Sequence, residues 1–130
     1  MLHIVFIMLI VACAMLVAHE LGHVVVTRML GGQWLGVERQ GFLIGVQLSV
    51  DRLSTSQVAL TLAAGPAAEI LIVLICSLVA PQYYALWVLI LAFQWIGNVI
   101  PWHVIPNDGT RLWQLWQHGI ISTHRQPVKT

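Results

Sequence analysis

Residues 2–30 read LHIVFIMLIVACAMLVAHELGHVVVTRML, and the fold turns on how that stretch is read. From Leu2 to Ala18 it carries no Asp, Glu, Lys or Arg, and the whole is long enough to cross a bilayer with some tilt. Its second half holds His19-Glu20-Leu21-Gly22-His23. On a helix His19 and His23 lie one turn apart on one face, spaced so that two imidazoles can bind one Zn²⁺ while Glu20 reaches water beside the ion. Ionisable side chains packed this closely in a hydrophobic helix are costly unless they meet a metal, water or one another. The placement therefore favours a metal site over a chance match to a short pattern.

Composition points the same way. Of 130 residues 58% are hydrophobic and 8% charged, with a mean hydropathy of +0.84, whereas ordinary soluble domains carry about a quarter charged residues. A chain of this length holds three or four spans with short connections, as one domain over 1–130. The formal charge of +1, with no run of Lys and Arg, excludes a nucleic-acid partner. Cys13 and Cys76 stand alone among apolar residues and read as packing residues, not as a disulfide or thiolate site. The N-terminus has neither the positive segment nor the small-residue cleavage site of a secretory signal, so the first helix is expected to be retained.

The expected fold class is an α-helical membrane protein with three transmembrane helices, a short membrane-associated β-hairpin and a C-terminal amphipathic helix. The spans fall at about 2–30, ended by Gly31-Gly32; at 58–80, interrupted by Gly65-Pro66 and Glu69 and closed by Pro81; and at 85–105, with Asn98 and Pro101 marking a polar end. Gln33 to Val50 alternates valine, isoleucine, phenylalanine and tryptophan with glycines and reads as a hairpin turning at Arg39-Gln40-Gly41, dipping into the interface. The segment 109–119 mixes Leu112, Trp113, Leu115 and Trp116 with polar residues, as an interfacial helix does, and the tail from Ser122 is expected to be polar and mobile. Trp34, Trp102, Trp113 and Trp116 read as interfacial anchors, and Trp87 and Trp95 as lipid-facing or packing residues.

In this layout Arg28, Arg39, Arg52, Arg111, Arg125 and Lys129 all fall on one side, which the positive-inside rule makes cytoplasmic, with the N-terminus outside. His23 then lies about 7 to 8 Å along its helix from Arg28, below the interface but within reach of water.

A catalytic zinc takes three protein ligands and leaves a position open, so the two histidines need another donor. Asp108 is the best candidate, being on the same side and offering a hard anionic oxygen. Glu69 and His103 compete: Glu69 suits a hydrogen bond to a ligand or the lining of a water path, and His103 an interfacial position beside Trp102.

Three separated elements resemble the site-2 protease family of intramembrane zinc metalloproteases: the His19–His23 motif, the Gly65-Pro66 segment, and Asn98-Val99-Ile100-Pro101 leading to Asp108-Gly109. The likeness runs from the first span through Gly109, as a minimal catalytic core. It implies His19, His23 and Asp108 as ligands of one catalytic Zn²⁺, Glu20 as the base, and Asn98 as a residue that positions substrate. It also implies regulated hydrolysis of a peptide bond in or near the membrane segment of a single-span or signal-peptide-like substrate, in a prokaryotic cell membrane. Two features depart from the family. The gap from Pro101 to Asp108 is longer than usual, with Pro106 and Asn107 placed to turn the chain back, and Glu69 stands where asparagine is common. The alternatives are a zinc transporter or zinc-sensing membrane protein, because intramembrane His, Glu and Asp also mark ion pathways, and a scaffold that keeps zinc for stability.

Overall fold

The computed structural model describes residues 2–40, 43–101 and 107–124. It is mostly helical: α1 (Leu2–Met29), a hairpin of β1 (Gln33–Gln40) and β2 (Leu43–Ser49), α2 (Thr55–Val79), a 3₁₀ turn (Pro81–Tyr83), α3 (Tyr84–Asn98) and α4 (Asp108–His124).

The helix ends have local causes. After α1, Gly31 takes φ +91°, its N–H bonds the Arg28 carbonyl and the Gly32 N–H bonds the Thr27 carbonyl, a Schellman stop that only glycine enters freely. Helix α2 starts three residues before the predicted 58, because Ser54 and Gln57 form a reciprocal capping box. The third apolar stretch departs most from expectation. Its helix stops at Asn98 and spans 15 residues, about 22 Å, short of the roughly 30 Å hydrocarbon layer. Pro101 disfavours a further turn, and the Asn107 amide donates to the carbonyls of Gly97 and Ile100, occupying acceptors that a longer helix would use. Among the described residues two helices, α1 and α2, are long and apolar enough to cross a membrane. Helix α4 runs to His124, beyond the predicted end, because one interior glycine at 119 costs only about 1 kcal/mol and does not stop a helix.

The hairpin forms where expected, antiparallel with Gln33 opposite Ser49 and Gln40 opposite Leu43. Arg39 and Gln40, assigned to the turn from sequence, belong to β1, Gly41 lies outside the described residues, and a bulge between Trp34 and Gly36 falls where Gly36 has φ +146°.

Helices α1 and α2 pack antiparallel along matched stripes. Met15, His19, His23 and Thr27 are buried on α1, and Thr61, Gly65, Glu69 and Val73 on α2, each one turn from the next. Small residues let the backbones approach: a side chain at Gly22 would meet the Ala64 carbonyl oxygen at 2.6 Å. Farther along, Met15 and Val73 join Trp87 and Ile90 of α3 in the apolar core. The stripes are the reverse of a soluble core, since they enclose His19, His23, Thr27, Thr61 and Glu69, while Phe6, Leu9, Leu16, Val17, Leu71 and Leu78 face outward. Backbone that buries its polar groups and exposes its aliphatic ones is stable when the outside is lipid. Cys13 is exposed on this outer face, so it is not the packing residue the sequence suggested; Cys76 is partly buried beside the apolar core, and both thiols are free.

Candidate metal centre

The i, i+4 spacing places His19 and His23 on the α1 stripe that faces α2, with their rings edge to face and centroids 4.7 Å apart. Gly65 is what makes room for them. A Cβ there would lie 2.5 Å from His23 Nε2 and 2.8 Å from His19 Cε1, so α2 meets the two imidazoles with bare backbone. The Gly65-Pro66 segment thus serves the site sterically.

Asp108 arrives from the far end of the chain. Its Oδ2 is 2.9 Å from His19 Nε2 and 2.9 Å from His23 Nε2, and the two Nε2 atoms are 3.1 Å apart. Asn107 puts it there. The Asn107 side-chain oxygen accepts the Thr110 N–H at 2.9 Å, capping α4, while its amide ties that cap to the end of α3. Gly109 completes the junction, because a side chain there would collide with the Val99 carbonyl. The longer linker therefore still returns the carboxylate to the histidines.

The protonation pattern suits a cation. His23 Nδ1 is 2.8 Å from the Thr61 carbonyl oxygen, which can only accept, so Nδ1 carries the proton and a neutral ring turns the Nε2 lone pair inward. Lone pairs and an anionic oxygen gathered within about 3 Å repel one another unless a positive charge joins them, and three donor atoms within 4.8 Å can hold one metal ion. The donor set of two imidazoles and a carboxylate is one that Zn²⁺ accepts.

Two further acids stand on the same pair of helices. Glu20, next to His19 in sequence, is partly buried, and its Oε2 accepts the Val46 N–H of β2 at 3.0 Å. Glu69 is fully buried, with Oε1 3.0 Å from His19 Nδ1 in an ion-pair contact whose alignment falls short of a hydrogen bond.

Of the residues singled out from sequence, His19, His23 and Asp108 come together, and Glu20 follows His19 in the chain with its carboxylate on the β2 backbone. Asn98 ends α3 half-buried and, among the described residues, makes no polar contact with that group. His103 and Trp102 lie outside the described residues. Three contributors were not anticipated: the Thr61 carbonyl, the Val46 N–H and Asn107. The first two are backbone atoms and leave no trace in side-chain identity, whereas Asn-Asp-Gly after a proline is a readable helix-start signal.

Comparison with curated proteins and with solved structures returns no match. The Peptidase M50B-like family matches residues 1–119, nearly the whole chain. With that match over a histidine pair in a lipid-facing helix, the chain belongs to the Peptidase M50B-like family, a site-2 protease family of membrane metallopeptidases.

Proposed function

We propose that the protein is an intramembrane zinc metalloendopeptidase that hydrolyses a peptide bond in or near the membrane segment of a single-span or signal-peptide-like substrate. The observation that carries this reading is the convergence of His19 Nε2, His23 Nε2 and Asp108 Oδ2 at 2.9 to 3.1 Å, with Glu20 at the adjoining position of the same helix. His19, His23 and Asp108 would hold one Zn²⁺, whose Lewis acidity lowers the pKa of water and polarises a carbonyl.

Glu20 is the group to take the proton from the attacking water and return it to the leaving amine. A helical substrate hides its peptide groups in its own hydrogen bonds, so it must unwind locally and find replacement partners. The outer edge of β2 offers them beside Glu20. Val46 N–H has two competing acceptors, the resting Glu20 carboxylate and the carbonyl of an extended substrate strand; pairing with substrate frees Glu20 for proton transfer. Asn98, at the end of α3, is assigned to exposed substrate backbone on the family resemblance. Helix α3 serves as the third, shorter crossing in a prokaryotic cell membrane.

The test is cleavage of a candidate single-span substrate by reconstituted protein. Glu20→Gln is expected to retain zinc and lose activity by about 10² to 10⁴-fold, the usual worth of a positioned acid-base group. Equal cleavage by both proteins removes Glu20 from the mechanism. Zinc flux across vesicles without proteolysis would replace hydrolysis by transport.

A further inference from the structure

Glu69 is a buried acid for which the hydrolytic steps have no use. It lies on α2 one turn beyond Gly65, 0% exposed, and neither carboxylate oxygen has a hydrogen-bond donor among the described residues. Its close polar neighbour is His19 Nδ1 at 3.0 Å, on the ring opposite the Nε2 that faces Asp108. A carboxylate removed from water and without donors survives as an anion only beside compensating positive charge. No Lys or Arg occurs in α1 before Arg28, or anywhere in α2 or α3. The compensation must therefore reach Glu69 through the His19 ring. A divalent cation held by two neutral imidazoles and the Asp108 carboxylate would carry +1 on the far side of that ring, and this is the positive charge the Glu69 carboxylate faces.

We propose that Glu69 is a positioning residue of the metal centre, holding the His19 ring at Nδ1 so that Nε2 faces His23 and Asp108, and setting a negative charge behind that ring so that the site grips a divalent cation more tightly. His23 receives the corresponding support from the Thr61 backbone carbonyl, so both rings are oriented from α2, one by a fixed dipole and one by a charge. This inference rests on His19, His23 and Asp108 being the ligand set.

The experiment uses the full chain in detergent, stripped with a chelator and titrated with Zn²⁺ alone against a chromophoric competitor. Glu69→Gln keeps an acceptor and removes the charge; Glu69→Leu removes both. Zinc affinity is expected to fall from wild type to Glu69→Gln to Glu69→Leu, reaching about 10 to 100-fold in the last. The Co²⁺-loaded Glu69→Leu protein should show a shifted visible spectrum. The stripped proteins separate this role from simple packing: with the uncompensated anion gone, metal-free Glu69→Gln should melt at or above metal-free wild type. Affinities of both variants within about threefold of wild type, or a metal-free Glu69→Gln that melts below metal-free wild type, overturn the proposal. His19→Ala in the same titration locates the failure. If it loses zinc while the Glu69 variants hold it, the ligand set stands and only the role of Glu69 falls; if His19→Ala and His23→Ala both keep zinc at full strength, the ligand set falls too.

Discussion

A single missing atom decides whether this site can exist. Gly65 faces both imidazoles, and a methyl group there would sit 2.5 Å from His23 Nε2, well inside the 3.5–4.0 Å at which heavy atoms pack. The obstacle cannot be relieved by a flexible side chain, because rings and helix backbone surround it. Gly65→Ala is therefore expected to lower zinc affinity and proteolysis together, by about tenfold or more, with helix content by circular dichroism unchanged; zinc stoichiometry on the purified protein checks it. At this scale the sequence was uneven evidence. His19, Glu20 and His23 were legible because their chemistry is contained in five neighbouring positions of one helix. Asp108, 85 residues from His23, was reached by requiring another hard ligand on the same side and by family resemblance. Gly65 was visible as an interruption of the second apolar stretch and as part of the family resemblance, but which atoms it spared was not, since that depends on how α1 and α2 pack against each other.

Among the elements, the hairpin matters through one edge. Val46 pairs with Val37 of β1, yet its N–H points away from that ladder to Glu20. Proline at an outward-facing edge position removes a donor without taking a bond from the hairpin itself. Val46→Pro should thus leave zinc content unchanged and slow cleavage several-fold to about tenfold, the worth of one backbone hydrogen bond, whereas Val46→Ala, which keeps the N–H, should cleave as wild type does. Unaltered kcat/KM in Val46→Pro would take the hairpin out of substrate binding. The hairpin and amphipathic helix were readable from alternation and from tryptophans among polar residues. Element ends were less so. The early start of α2 was written in Ser54-x-x-Gln57, but the stop of α3 at Asn98 depends on Asn107 reaching back to the Gly97 and Ile100 carbonyls, a tertiary contact.

Across the whole molecule, the order of contacts constrains which end of the bundle each connection occupies. Helices α1 and α2 run antiparallel, so the hairpin and Asp51 lie at the end where α1 finishes, and the Pro81–Tyr83 turn lies at the other. Asp108 reaches His19 and His23 near the first of these ends, which requires the chain to return from the 3₁₀ turn through α3, although α3 alone is too short for a full crossing. The sequence conveyed this return through the one-sided distribution of Arg and Lys; it could not convey the shortness of the helix, which Pro101 and the Asn107 contacts produce together. A bilayer around the two long helices then separates Asp51 from Gln82, both exposed. With Cys13 and Cys76 replaced by alanine, a membrane-impermeant maleimide added to sealed, right-side-out vesicles should label Gln82→Cys at once and Asp51→Cys only after the membrane is opened, as the positive-inside rule requires of the end carrying Arg28, Arg39 and Arg52. The reverse pattern would invert the protein while leaving the site intact. Labelling of both from one side would be incompatible with α2 as a span, and the buried histidines, Glu69 and the threonines around them would then need a solvent other than lipid to account for the apolar exterior.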